Sequence, residues 1–121
     1  MSENDLKWEK LHLPELMSPA EIENGQLVQA ECESKKYCLS KVNDNWYAIR
    51  DTCPHASASL SKGFMVKGQV VVCPLHRAKF DICSGKNISG EGYGMRSYPV
   101  KQEDDQLYLG LTDKNWYEFW K

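Results

Sequence analysis

The chain has 121 residues, with 15 Lys and Arg against 17 Asp and Glu, and a formal net charge of −2. This length suits one domain, and the near-neutral charge argues against nucleic acid as a main partner. No apolar run approaches the roughly 18 residues of a membrane span, and the polar start at residues 1–5 does not resemble a signal peptide. Five cysteines are an odd number, so metal binding or burial is favoured over a disulfide framework. We therefore expect a soluble cytoplasmic domain without a membrane partner.

The pattern along the chain predicts mostly short strands. Only Pro19–Asn24 has a helical pattern, with Ser18 as a cap and Gly25 as a stop. Alternating or β-branched stretches predict strands at 27–32, 37–42, 46–49, 70–72, 98–100 and 107–111. Many short strands at close spacing predict an all-β sandwich or barrel.

Two stretches, Thr52–Gly63 and Cys73–Gly85, interrupt the strand pattern and are rich in Cys, His, Pro, Ser and Gly. Both begin where a predicted strand ends, so they are predicted to be loops that project from a β scaffold. They contain Cys53-Pro54-His55 and Cys73-Pro74-Leu75-His76. With five Cys and three His in the chain, each Cys–His spacing is expected by chance only about 0.12 times. The two motifs together therefore indicate a site made of two thiolates and two imidazoles.

Two kinds of metal centre use such a ligand set. One is a tetrahedral structural zinc site, as in a domain for protein interaction. The other is a [2Fe–2S] cluster in which two cysteines hold one iron and two histidines hold the other. Each loop supplies one cysteine and one histidine, so each loop can reach both irons. This interleaving favours the iron–sulfur interpretation over the zinc alternative.

The stretches Cys53–Gly63 and Val72–Asp81 closely resemble a Rieske [2Fe–2S] domain, and the resemblance extends roughly over residues 6–111. It implies an all-β Rieske fold, with three antiparallel sheets and a small cluster-binding subdomain of two loops at about 51–85. It also implies one [2Fe–2S] cluster per chain, with Cys53, His55, Cys73 and His76 as ligands. A single domain would span 1–121, with a short aromatic extension at 112–121 that departs from the family.

Within the family, the sequence resembles the ferredoxins that serve oxygenases of aromatic rings. Respiratory Rieske subunits add a cysteine to each loop, whereas Leu75 stands between Cys73 and His76 here. The resemblance implies a one-electron carrier, not itself an enzyme, that passes electrons from a flavin-dependent reductase to a terminal oxygenase. The alternative is a small accessory subunit of a nitrite-reductase-like oxidoreductase. Cys32, Cys38 and Cys83 are expected to lie outside the ligand set, the first two as buried hydrophobic residues.

Overall fold

The computed structural model describes residues 6–15, 17–53, 58–75, 77–89 and 94–112. These residues form short strands and two 3-10 turns, at Pro19–Glu21 and Leu60–Lys62. The strands are β1 Leu6–Leu11, β2 Val28–Cys32, β3 Lys35–Val42, β4 Asn45–Arg50, β5 Phe64–Val66, β6 Val70–Val72, β7 Lys79–Asp81, β8 Ser97–Glu103 and β9 Gln106–Thr112. A search of the described residues finds no helix with the length and apolar character needed to cross a membrane.

Six strands form one antiparallel sheet in the order β1-β9-β8-β4-β3-β2. Strand β8 belongs to two ladders, because its start pairs with β4 and its end pairs with β9. The two edges of the sheet meet where His12 follows β1 and Glu31 lies in β2. The backbone N–H of each of these residues donates to the carbonyl of the other, at 2.8 and 2.9 Å. The sheet therefore closes on itself as a small barrel.

The remaining strands form a separate antiparallel sheet in the order β5-β6-β7. The first Cys–His loop precedes β5 in the chain, and the second joins β6 to β7. The resemblance implied three antiparallel sheets; β8 joins two of them into the closed six-stranded sheet, so the described strands form two continuous sheets. The predicted all-β fold class is confirmed.

The hydrophobic core has two parts that share a wall of the barrel. The barrel interior contains Leu39 of β3 and Leu109 of β9. A second cluster fills the space between the barrel and the small sheet, and it contains Cys38 of β3 and Phe80 of β7. Successive side chains of a strand point to opposite faces, so β3 faces both clusters. This explains why β3 is buried at four consecutive positions, 37–40, although strands usually alternate.

The helix predicted at Pro19–Asn24 is replaced by the 3-10 turn at Pro19–Glu21. Ser18 makes no side-chain capping bond, and Ile22 takes an extended conformation. Ile22 is completely buried in the barrel interior. The chain leaves the helical conformation at this point because an apolar side chain is needed in the core.

Candidate metal centre

The two motif loops have the same span and the same closing hydrogen bond. The N–H of Cys53 donates to the carbonyl of Ala58, and the N–H of Cys73 donates to the carbonyl of Ala78, each at 2.8 Å. One residue further out, the pairs also match: Thr52 bridges to Ser59, as Val72 pairs with Lys79. Each cysteine is therefore the first residue of a six-residue loop closed at its base. In sequence, the first loop has its histidine at the third position and the second at the fourth.

The bases of the two loops lie against each other. Gly63, just after the first loop, approaches the second so closely that a Cβ there would overlap the carbonyl oxygen of Val72. The same Cβ would lie 3.2 Å from the ring of Pro74. A side chain at position 63 would force the loops apart, which explains the glycine.

Cys53 and Cys73 are buried in the same hydrophobic cluster, with exposed fractions of 1% and 0%. Their neighbours in this cluster include Leu60, Val71 and Phe80. A pair of thiols in a dry, rigid environment suits a metal centre whose electron affinity depends on limited solvent access.

Asp51 anchors the first loop from the end of β4, two residues before Cys53. Its buried carboxylate accepts four hydrogen bonds: from Gln29 Nε2 and Ser59 Oγ at 2.6 Å each, and from the backbone N–H (2.6 Å) and Oγ (2.9 Å) of Ser61. These bonds join β2, β4 and the residues that follow the loop. The site's chemistry depends on such support, because it fixes where the cysteine stands. The sequence analysis did not single out Asp51. The signal that could have found it is an acidic residue two positions before a predicted ligand, with two serines following the loop.

Asp81 lies at the end of β7 that is farther from the loops. Its carboxylate accepts hydrogen bonds from Gln69 Nε2 at 2.8 Å and from the backbone N–H groups of Cys83 and Ser84 at 2.8 and 3.3 Å. These bonds join β7 to the turn between β5 and β6, so Asp81 stabilises the small sheet on which the second loop stands.

The three other cysteines have surroundings that suit structural roles. Cys32 and Cys38 are completely buried, as expected, and burial raises the pKa of Cys32 to about 11. Burial also raises the pKa of the Cys38 thiol. Cys83 is half-buried, and burial together with the charge of Asp81 raises the pKa of its thiol, which shares a side-chain hydrogen bond with Tyr47. Burial thus disfavours the thiolate form at all three positions.

The predicted ligands divide into two groups. The structure places Cys53 and Cys73 in one buried hydrophobic cluster, whereas His55 and His76 lie outside the described residues. Within the described ranges, no three His, Cys, Asp or Glu side chains converge as a metal site. Two buried thiols at the start of matched loops, each loop with a histidine inside it, fit mixed thiolate and imidazole ligation.

The model of one protein family, the Rieske [2Fe-2S] domain, matches residues 12–99. The chain belongs to the Rieske family. This family binds an iron–sulfur cluster of the [2Fe–2S] type, so the identification agrees with the chemistry of the paired thiols.

Relatives of this Rieske chain include ferredoxin components of dioxygenase systems. That of a naphthalene 1,2-dioxygenase system in Pseudomonas aeruginosa is 32% identical over 93 residues, which cover 76% of this chain and 88% of the relative. The Sphingomonas yanoikuyae B1 ferredoxin has a TM-score of 0.71 at 25% identity, with 84% of this chain and 98% of that one covered. A chain in the complex of reduced oxygenase and oxidised ferredoxin of carbazole 1,9a-dioxygenase has a TM-score of 0.68 at 26% identity, with 78% and 97% covered.

Two further solved structures are described as nitrite reductase small subunits. Their TM-scores are 0.68 and 0.72, at 22% and 15% identity. Likeness at this level of identity shows a common fold alone.

Proposed function

We propose that this Rieske chain is the ferredoxin of a dioxygenase-type system and carries one electron at a time to a terminal oxygenase. The observation that carries the proposal is the pair of matched loops that start at Cys53 and Cys73 and share one buried cluster. The relatives are ferredoxin components, which are electron carriers rather than catalytic enzymes. The alternative of a nitrite reductase subunit is less supported, because it depends on the fold alone.

Cys53 and Cys73 would hold one iron of a single [2Fe–2S] cluster, and His55 and His76 would hold the other. When bound, such a cluster accepts one electron at a higher potential than a cluster with four thiolates. Leu75, which precedes His76 in the chain, is exposed, so the second loop reaches the surface. A partner protein could then approach the histidine-bound iron closely.

The residues around the loops would keep the ligands still while the charge of the cluster changes. The N–H bonds to Ala58 and Ala78 close both loops, Asp51 fastens the base of the first, and Asp81 stabilises the small sheet that carries the second. A site that moves little on reduction exchanges electrons without first rearranging its surroundings. The rigid bases therefore suit a carrier that is reduced and oxidised repeatedly.

Three finer points belong to the same proposal. The electron donor would be a flavin-dependent reductase. The location would be the cytoplasm, because five cysteines, an odd number, suit a reducing compartment. Residues 51–85 would form the cluster-binding subdomain of a single domain that spans 1–121. The aromatic extension at 112–121 lies almost wholly outside the described residues.

The test is purification without oxygen from iron-supplemented cells, followed by iron and sulfide analysis and electron paramagnetic resonance of the reduced protein. We expect two irons and two sulfides per chain and the rhombic signal of mixed cysteine and histidine ligation. Cys53→Ala should abolish the cluster. Cys38→Ala is the matched control, because Cys38 is buried in the same hydrophobic cluster but lies in β3. A colourless protein that contains zinc, or loss of the cluster in both variants, would contradict the proposal.

A further inference from the structure

The charges of this chain are unevenly distributed between the loop region and the rest. Residues 53–89 contain five Lys and Arg and one acidic residue, a formal charge of +4, whereas the rest of the chain has −6. All five cationic side chains are exposed: Lys62, Lys67, Arg77, Lys79 and Lys86. The segment that carries the loops is therefore basic, although the protein as a whole is acidic.

A row of directly paired residues crosses the small sheet at its loop end. Phe64 pairs with Val72, and Val72 pairs with Lys79. The bridge between Phe80 and Asn87 places Ile88 opposite Lys79, and the N–H of Ile88 donates to the carbonyl of Lys79 at 2.9 Å. Directly paired residues share a face, so Phe64, Lys79 and Ile88 lie on the face opposite to Val71 and Phe80, and Val72 between them is covered at 3% exposed. The row is about 14 Å long, at roughly 4.8 Å between strands.

The row and the second loop expose large apolar side chains. Phe64, Leu75 and Ile88 are the large hydrophobic side chains that are exposed in the described part of the chain, at 48%, 61% and 46%. Leu75 lies in the second loop, which leaves the row at Val72 and returns to it at Lys79. Singly exposed apolar residues are ordinary, but several of them interleaved with cations at one end of a sheet are typical of a protein interface.

We propose that the basic apolar surface formed by Phe64, Leu75, Arg77, Lys79 and Ile88 docks the terminal oxygenase, and that the matching face of that partner is acidic around an apolar centre. The inference rests on the proposed function, in which electrons leave through the loops. The apolar centre excludes water between the two proteins, and the cations attract and orient an acidic partner. The charge of −6 elsewhere turns this face toward such a partner before contact.

The first experiment measures the oxidation of the reduced protein by hexacyanoferrate(III), an anion, and by hexaamminecobalt(III), a cation, at several ionic strengths. If the loop face governs the encounter, added salt slows the reaction with the anion and accelerates the reaction with the cation. If the net charge of −2 governed the encounter instead, added salt would accelerate the reaction with the anion and slow the reaction with the cation. A salt dependence that follows the net charge would overturn the inference.

Lys79→Glu and Lys67→Glu are a matched pair of charge reversals in the small sheet. Lys79 lies at its loop end, whereas Lys67 lies in the turn that joins β5 to β6 at the other end. At low ionic strength we expect Lys79→Glu to slow the reaction with hexacyanoferrate(III) by at least about threefold, and Lys67→Glu to leave it within about 1.5-fold. Equal effects of the two variants would overturn the assignment of the surface.

Phe64→Ser tests the apolar centre. This variant should keep the wild-type rate with hexacyanoferrate(III) but slow electron transfer to an acidic acceptor protein, cytochrome b5; an unchanged rate with both acceptors would overturn the apolar part. Binding to a 20-base-pair DNA duplex at physiological salt that Lys79→Glu abolishes would assign the surface to nucleic acid instead. In every variant the cluster spectrum is the control. Its loss in the wild-type protein would contradict the proposed function, whereas an intact spectrum with the wrong salt dependence overturns this inference alone.

Discussion

Replacing Asp51 by Asn should destabilise the protein well beyond the loss of one surface charge. The carboxylate of Asp51 accepts four hydrogen bonds, three at Oδ2 and one at Oδ1. An asparagine can keep its oxygen toward the backbone N–H of Ser61, but its NH2 group then faces the donors at the Oδ2 position. The hydroxyl groups of Ser59 and Ser61 can rotate to accept a hydrogen bond, whereas the NH2 group of Gln29 cannot.

The cost follows from the bonds that are lost or weakened. One hydrogen bond to a charged group disappears, at about 1.5–3 kcal/mol, and the bonds that remain lose their charge assistance. We expect a total of about 3 kcal/mol, which for a domain of this size lowers the thermal midpoint by about 10 °C. Asp44→Asn is the matched control. Asp44 lies in the exposed turn between β3 and β4, so its substitution should cost less than about 0.5 kcal/mol.

The assay is thermal unfolding without oxygen, followed both by far-ultraviolet circular dichroism and by the visible absorption of the cluster. Because Asp51 fastens the first loop, the visible signal of Asp51→Asn should be lost at or below the temperature at which the strands unfold. Equal midpoints for Asp51→Asn, Asp44→Asn and the wild-type protein would refute the idea that this carboxylate supports the loop.

Three further substitutions test the ligand set and the packing. His76→Cys should keep a cluster but lower its reduction potential, because a thiolate adds negative charge; a potential that does not change would remove His76 from the ligand set. Cys83→Ser should leave the visible spectrum intact, and its loss would show that Cys83 is a ligand. Gly85→Ala should cost several times more than Gly25→Ala in chemical unfolding. Both glycines have a positive φ, worth about 1 kcal/mol, but only at Gly85 would the new Cβ overlap a backbone atom, the Met95 carbonyl oxygen. Equal costs would show that the loop around Gly85 can move.

The sequence predicted the strands in which apolar and polar residues alternate clearly, or which contain a run of β-branched residues. The stretches at 27–32 and 107–111 correspond to β2 and β9, and both face the barrel interior on one side. Strands β1, β5 and β7 were not predicted; β5 and β7 have only three residues each and lie between loop segments. Their pairing with β6 is decided by tertiary contacts, which a local pattern does not contain.

The site was predictable in part for a different reason. A ligand set needs particular residue types, so the motifs at Cys53 and Cys73 stand out against the composition. The supporting contacts of Asp51 are not visible in the same way, because Gln29 lies 22 residues away and any polar residue could have stood there. The equal length of the two loops was visible in the sequence, since each runs from a Cys-Pro pair to an alanine. That both loops are closed by the same hydrogen bond could be seen only in the structure.

In the closed barrel, the first strand along the chain, β1, lies beside the last, β9. Leu6 of β1 and Thr112 of β9 are directly paired, so their Cα atoms lie about 5 Å apart. A circularly permuted gene could join these two strands through a short linker and open the chain at Lys67-Gly68, in the turn farthest along the small sheet from the loops. Such a permutant would offer attachment points for an electrode or a fused reductase on the small sheet itself, with every ladder of the protein retained.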